Sequence, residues 1–139
     1  MSKISSSKPL NGIKVLELSN MITCSLATMT MASQGAEVIK IEPLSGDLAR
    51  AIPPIIDGKS AAFMTLNRNK KSLVLNLKEK KSKEVLWRLL KKADIFIHNM
   101  RPEKIEKLGF GPLSVTKKLP KIIFVALYGY GMGSFYSGQ

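Results

Sequence analysis

The sequence predicts an α/β protein, because short strand-like segments alternate with helix-like segments along most of its 139 residues. The strand-like segments are rich in Val, Ile, Leu and Phe. The last of them is apolar almost throughout, as in strands covered on both faces. Strands that alternate with helices join one parallel sheet through right-handed crossovers. We therefore expect a Rossmann-like, open, mostly parallel sheet with flanking helices, forming an incomplete domain.

The predicted elements follow one another closely, apart from one long loop. Five strands are predicted, at 12–18, 36–41, 72–77, 94–98 and 121–128. Four helices are predicted, at 22–32, 80–93, 103–108 and 113–118. The Pro- and Gly-rich passage at 44–60 lacks periodicity and is expected to be a long loop, of a kind that often carries function.

Local signals set the limits of these elements. The first strand alternates, and Ser19 and Asn20 after it are helix-capping residue types. Gly35 ends the first helix, and Pro43 follows the second strand. The second helix carries an apolar stripe opposite lysines, formed by Val85, Leu86, Leu89, Leu90 and Ala93. A Ser- and Lys-rich lead-in at 1–9 is expected to be flexible.

The composition predicts a basic globular protein of the cytoplasm. A hydrophobic fraction of 45% is enough for a buried core, and a formal charge of +12 favours anionic partners. Cys24 is the only cysteine, which excludes an internal disulfide, and the polar start of the chain lacks the apolar core of a signal peptide. No apolar run approaches the roughly 18 residues of a membrane-spanning helix, so we expect no membrane partner.

The segment Leu66–Lys78 carries the strongest functional signal, because it joins a basic turn to a strand of alternating apolar residues. Such a turn can hold polyphosphate at the edge of a sheet. Its cations are Arg68, Lys70, Lys71 and Lys78. Residues 40–43 (KIEP) lie upstream and residues 98–102 (HNMRP) lie downstream. With these segments, the chain from about residue 10 to 136 resembles the family III CoA-transferases, which include formyl-CoA transferase, carnitine CoA-transferase and alpha-methylacyl-CoA racemase.

The resemblance implies a binding site for coenzyme A, used as a substrate and acyl carrier. The implied CoA-contacting residues are Ile22, Thr23, Leu75, Asn76, Leu77, Lys78, Asn99, Met100, Arg101 and Lys107. Two positions depart from the family pattern. Residues 23–25 (TCS) replace an Ala-Gly-Pro step, and Pro43 stands where formyl-CoA transferase has an arginine. From the residues alone, a helix cap explains Ile22 and Thr23 equally well.

The activity implied by the resemblance is transfer of CoA from an acyl-CoA to a carboxylic acid through an aspartyl anhydride. None of Asp47, Asp57 and Asp94 matches the position of that aspartate, which we expect beyond Gln139. Residues 10–139 are therefore expected to be the amino-terminal part of the CoA-binding domain, without turnover of their own. The full-length protein is expected to form a homodimer.

Two other functions fit parts of the sequence. Acyl-CoA racemisation, within the same family, needs bases that would also lie downstream. A noncatalytic basic module could bind CoA, a nucleotide or nucleic acid. The lysines lack the interleaved aromatic residues of nucleic-acid-binding surfaces, so we expect no nucleic-acid partner.

Several conspicuous residues are expected to have structural roles. The turn after the first strand contains no glycine, so the dinucleotide-binding fingerprint is missing. Cys24 is expected to be a small buried thiol. His98 is expected to be a strand-end histidine, because no second Cys or His lies nearby to complete a metal site. We expect no metal. The glycines at 129, 131 and 133 predict a mobile active-site loop or a phosphate cradle.

Overall fold

The computed structural model describes residues 8–131, so most of the predicted lead-in and the end of the predicted glycine loop lie outside the described residues. The strands are β1 (Lys14–Leu18), β2 (Glu37–Glu42), β3 (Ile55–Ile56), β4 (Lys59–Ser60), β5 (Lys70–Val74), β6 (Ile95–His98) and β7 (Ile123–Ala126). The helices are α1 (Thr23–Ser33), α2 (Ala61–Leu66), α3 (Lys80–Leu90), α4 (Pro102–Leu108) and α5 (Pro112–Lys118).

Five of the strands form one sheet in the order β5-β2-β1-β6-β7, and every pairing within it is parallel. The strand β1 lies at the centre, where Val15 pairs with Val38 on one side and with Ile95 on the other. The helices return the chain between successive strands, as parallel pairing requires. The predicted open, parallel α/β sheet is confirmed.

Apolar side chains cover both faces of this sheet. On one face, strand residues pack against α3, α4 and α5 in a cluster of Leu16, Leu18, Ile41, Leu86, Leu90, Phe96, Ile105, Phe110 and Val115. On the other face, the smaller side chains of α1 pack on the sheet in a cluster of Val15, Cys24, Ala32, Ala36, Val38 and Ile97. Each fully buried Leu or Phe contributes about 1.5–3 kcal/mol through removal from water.

The predicted limits of two elements need correction. The strand β5 ends at Val74, so residues 75–77 belong to the loop that follows it. The residue before α1 is Ile22, and no side-chain hydrogen bond caps this helix. The expected caps are engaged elsewhere, because Ser19 donates to Glu17 and Asn20 accepts from the backbone of the 3₁₀ helix at 48–51.

The passage at 44–60 is more ordered than the predicted long loop. Asp47 accepts a hydrogen bond from Ala49 N–H and caps a 3₁₀ helix. The strands β3 and β4 then form a small hairpin whose turn holds Asp57 and Gly58, both at positive φ. Ser60 accepts from Phe63 N–H and starts α2, which the prediction lacked. Asp-Gly is a strong hairpin signal that periodicity alone does not reveal.

The strand β7 lies at the edge of the sheet, so only one of its sides is paired. Ile123 is 58% exposed, and the other three residues of the strand are half-buried. Phe124 packs against the cluster on the α3 face and Val125 against the cluster on the α1 face, so the expected cover on both faces is present but incomplete. Among the described helices, none combines the length and apolar character needed to cross a membrane.

Candidate functional site

A groove of about 460 Å³ opens at the carboxyl ends of β1, β2, β5 and β6. In open α/β sheets, ligands bind in the crevice outside the carboxyl ends of the strands, where the strand order reverses. Here that reversal falls between β1 and β6. The groove is lined by Leu18, Ser19, Asn20, Ile41, Glu42, Pro43, Leu44, Ser45, Leu75, Asn76, Leu77, Lys78, Met100, Lys104 and Leu108.

The floor of the groove is apolar. Leu18 and Ile41 are buried at the ends of β1 and β2, and Leu75, Leu77 and Met100 pack against the same core cluster. These side chains reach the groove because they lie in the last residues of parallel strands or just after them, and parallel strands all end at one edge of the sheet. The floor can therefore accept an uncharged, flexible or aromatic part of a ligand.

The rim of the groove is polar and carries two lysines. Asn76 donates from its amide to Glu79 Oε1 at 2.8 Å and accepts from Lys78 N–H at 3.3 Å, which fixes the loop after β5. Lys78 lies in this loop and Lys104 lies on α4, and both are exposed. Among the described residues, neither lysine has a carboxylate partner. Both cations are available to an anion.

Among the described residues, Glu42 is the only carboxylate that lines the groove, and Arg50 already balances its charge. Arg50 donates to it through Nε and Nη2, each at 2.8 Å, and Ser72 donates at 2.6 Å. Burial raises the pKa of Glu42, but the bonds from Arg50, Ser72 and the Asp47 backbone outweigh it and lower the pKa to about 2. Glu42 therefore stays ionised without making the groove repel anions.

A buried charge network lies behind the groove, on the α1 face of the sheet. Lys40 Nζ is 2.6 Å from Glu17 Oε1 and 2.8 Å from Asp47 Oδ2, and Lys70 Nζ is 2.9 Å from Glu17 Oε2. Glu17 also accepts hydroxyl hydrogen bonds from Ser19, Ser25 and Thr28. Burial raises the pKa of Glu17, but Lys40 and Lys70 outweigh it and bring the pKa to about 2.

Asn99, which follows β6, holds the loop between β1 and α1. It accepts from Asn20 N–H at 3.1 Å, and its amide donates to Asn20 O at 2.7 Å and to Thr23 Oγ1 at 3.4 Å. Asp47 Oδ1 accepts from the N–H of Met21, a residue with φ of 67°. The loop that forms one wall of the groove is therefore fixed from two sides.

The structure brings half of the predicted CoA-contacting residues to the groove. Five of them line it: Leu75, Asn76, Leu77, Lys78 and Met100. Five do not line it: Ile22, Thr23, Asn99, Arg101 and Lys107. Ile22 and Thr23 lie at the start of α1, Asn99 and Arg101 lie just before α4, and Lys107 lies in the last turn of α4.

The basic turn before β5 does not reach the groove. Lys70 is buried in its ion pair with Glu17, and Lys71 pairs with Glu37 at 2.6 Å. Because β5 runs away from this turn, the turn lies at the amino edge of the sheet, whereas the groove lies at the carboxyl edge. The prediction that this turn holds polyphosphate at the binding edge is wrong in its placement, although Lys78 beyond the strand does line the groove.

Cys24 and His98 are both buried. The predicted small buried thiol of Cys24 is confirmed, and burial, with the nearby charge of Glu17, raises its pKa to about 11. His98 Nδ1 accepts from Met100 N–H at 3.2 Å, and burial lowers its pKa to about 4. No group of three or more potential metal ligands occurs among the described residues.

Sequence reasoning missed three groups that shape this site. Lys104 was not singled out, because no motif marked it and only the fold places it beside the groove. Asn20 gave only a capping signal and Asp47 lay in the passage without periodicity, although both fix the groove wall. Lys40 and Glu17 lie on neighbouring strands in direct register, which a known strand order would have revealed.

The chain is similar to CoA-transferases of known specificity. It is 37% identical to succinyl-CoA:glutarate CoA-transferase of Mus musculus over 132 residues, which are 94% of this chain and 30% of that protein. It is 39% identical to (R)-2-hydroxy-4-methylpentanoate CoA-transferase of Clostridioides difficile over 127 residues, which are 88% of this chain and 32% of that protein. The chain thus spans about a third of the length of these relatives.

Solved structures share its fold. A CAIB/BAIF family protein from Brucella suis superposes with a TM-score of 0.89 at 29% identity, over 94% of this chain and 36% of that one. Rv3272 from M. tuberculosis superposes with a TM-score of 0.87 at 33% identity, over 96% of this chain and 38% of that one. The model of CoA-transferase family III matches residues 10–139. This chain belongs to CoA-transferase family III.

Proposed function

We propose that this chain forms the CoA-binding part of an enzyme that transfers coenzyme A from an acyl-CoA to a carboxylic acid. The groove carries this proposal, because its apolar floor and cationic rim lie at the ligand-binding edge of the sheet. Its volume of about 460 Å³ lies within the range of ordinary small-molecule sites. Family membership supports the same reading.

The residues of the groove suit the two chemically different ends of coenzyme A. The phosphates need cations that are not already neutralised, and Lys78 meets that condition among the described residues. The uncharged pantetheine arm and the adenine ring need a channel of mixed polarity, which Leu75, Asn76 and Met100 provide. Ile22, Thr23, Asn99, Arg101 and Lys107 remain predicted contacts along the same edge.

We propose that the reaction uses an aspartate outside these 139 residues. The aspartate attacks the donor thioester carbonyl and expels the CoA thiolate, which gives an acyl-aspartyl anhydride. The thiolate then attacks the aspartyl carbonyl, which releases the donor acid and leaves an aspartyl-CoA thioester. The acceptor carboxylate attacks this thioester to form a second anhydride and expel the thiolate, which opens that anhydride at the acceptor carbonyl and regenerates the aspartate. Asp47 does not suit this role, because it is buried and paired with Lys40. Asp94 accepts from Lys14 N–H at the opposite edge of the sheet, and Asp57 lies in the turn of the small hairpin.

The wider proposal follows the same resemblance. The chain by itself has no turnover, the full-length protein is a homodimer, and the enzyme acts in the cytoplasm. Racemisation of an acyl-CoA is the alternative activity. Its bases are also proposed to lie outside these residues, so the buried His98, whose Nδ1 accepts from the N–H of Met100, does not decide between the two activities.

Calorimetry with CoA, and with adenosine 3′,5′-bisphosphate as competitor at fixed salt, tests the proposal. We expect CoA to bind to the chain, the bisphosphate to compete, and Lys78→Ala to weaken both about fivefold. Lys117→Ala removes an equally exposed cation that does not line the groove and serves as the control. Absence of heat with CoA would reject the proposal. DNA binding with a steep salt dependence, together with no competition between the bisphosphate and CoA, would instead favour a nucleic-acid-binding module.

A further inference from the structure

We infer that Lys104 is a phosphate-binding residue of the groove, acting together with Lys78 from the opposite wall. This inference rests on the proposed function. The strand order separates β5 from β6 by two strands, so the loop after β5 and the helix after β6 enclose the groove from two sides. Lys78 belongs to the first of these walls and Lys104 to the second.

The geometry of α4 turns Lys104 toward the groove. Ile105 is fully buried in the core and defines the inner side of this helix. Successive helical residues are about 100° apart, so Lys104 and Leu108 lie only about 40° from each other, and both line the groove. Lys107 lies about 160° around the helix from Ile105, on the side that faces solvent.

The electrostatic surroundings leave Lys104 available to an anion. Lys40, Lys70 and Lys71 each have a carboxylate within 3 Å, whereas Lys104 has none among the described residues. Glu42, the one carboxylate lining the groove in the part of the chain that the structure describes, is paired with Arg50. No cation comes from the end of β2, because Pro43 supplies neither a charge nor an N–H.

Two exposed lysines facing one channel suit an anion with separated phosphates. Adenosine 3′,5′-bisphosphate carries a phosphate on each side of its ribose and has no thiol or pantetheine arm. It therefore probes the cationic rim without the contacts that a pantetheine arm would add on the apolar floor. Each lysine contacts a phosphate as a point charge, so arginine should replace it with little loss.

The test is calorimetric titration of the chain with adenosine 3′,5′-bisphosphate. We expect Lys104→Ala to raise Kd about five- to tenfold and to make its salt dependence shallower, while Lys104→Arg stays within about twofold. Lys91→Ala is the matched control. Lys91 follows α3 at the amino edge of the sheet, so its substitution removes the same charge far from the groove.

The outcomes separate this inference from the proposed function. Failure of the unsubstituted chain to bind either ligand would reject the proposed function itself. Binding that is unchanged by Lys104→Ala would overturn the role of Lys104 and leave the proposed function standing. An equal loss in Lys91→Ala would also overturn it, by showing that overall charge governs affinity. Circular dichroism and urea unfolding of each variant establish that a changed Kd does not come from misfolding.

Discussion

Two sets of lysines in this molecule differ in what surrounds them. Lys40 and Lys70 are buried on the α1 face and lie 2.6–2.9 Å from carboxylates. Lys78 and Lys104 are exposed at the groove, and neither has a carboxylate partner among the described residues. A buried lysine with its counter-charge supports the fold, whereas an exposed one at a ligand-binding edge can serve a ligand. The density of lysines in the sequence does not separate the two roles.

The largest expected effect comes from breaking the buried set. Glu17→Gln keeps the shape of the side chain but leaves Lys40 and Lys70 without the charge between them. We expect a loss of about 3–5 kcal/mol in the free energy of unfolding, measured with urea. Glu37→Gln breaks the exposed pair with Lys71 and should leave the urea midpoint unchanged. Similar losses in both variants would contradict the distinction.

Removal of a buried cation should have the next largest effect. Lys40→Met keeps the length of the side chain but leaves Asp47 buried without its ion-pair partner. We expect a loss of about 3 kcal/mol in urea unfolding. The double variant with Glu17→Gln should lose less than the sum of the two single losses, because the substituted groups contact each other at 2.6 Å. Strict additivity would show that they do not act as one network.

The groove wall should be less sensitive than the network. Asn99→Asp places a carboxylate oxygen against the carbonyl of Asn20, where an amide N–H now donates at 2.7 Å. We expect a loss of about 1–3 kcal/mol in unfolding free energy. Asn99→Ala removes the hydrogen bonds without adding a charge and should lose less. If the Asp variant is as stable as the unsubstituted chain, the amide does not hold this loop.

The pH dependence of stability should report the buried groups in two steps. The pKa of His98 falls from 6.5 to about 4 on folding, so the unfolded chain binds more protons between these values. Stability is therefore lost as the pH drops from 6.5 to about 4. The pKa of Glu17 and that of Glu42 fall from 4.5 to about 2, which adds a second loss over that lower window.

His98→Asn isolates the first of these steps. Removal of the imidazole should flatten the curve of unfolding free energy between pH 6.5 and 4 and keep the fall below pH 4.5. Urea titrations at a series of pH values measure both segments. An unchanged slope in the upper window would mean that His98 does not titrate differently in the folded state.

The smallest expected effect on stability comes from the groove lysines. Lys78→Ala and Lys104→Ala remove exposed side chains that hold no ion pair among the described residues. We expect their urea midpoints to match that of the unsubstituted chain, although ligand binding weakens. A loss of stability comparable to that of Lys40→Met would show that Lys78 and Lys104 support the fold, as Lys40 and Lys70 do.

Much of the fold followed from the sequence because its strands and helices have distinct periodicities. Runs such as 95–98 and the apolar stripe of α3 are strong signals, and both elements were predicted correctly in type. The hairpin and α2 within 44–66 were missed, because local caps at Asp47 and Ser60 define them rather than periodicity. The caps expected for α1 are absent because Ser19 and Asn20 make tertiary hydrogen bonds instead.

The site was harder to predict than the fold. The segment 75–78 and Met100 were placed at one edge through the resemblance, and all five residues line the groove. Lys70 was misjudged because its sequence neighbours are basic, whereas its partner Glu17 lies 53 positions away. Only the order of strands shows which charges meet. Whether a lysine binds a ligand or a carboxylate is therefore a property of the fold.

The central position of β1 bears on how the protein forms during synthesis. This strand pairs with β2 soon after it emerges, but its other edge waits for β6, which comes much later in the chain. Until then, the nascent polypeptide exposes an unpaired strand edge to the ribosome surface and to chaperones. Changes that destabilise β6 should therefore increase aggregation of newly made chains more than equal losses in β5.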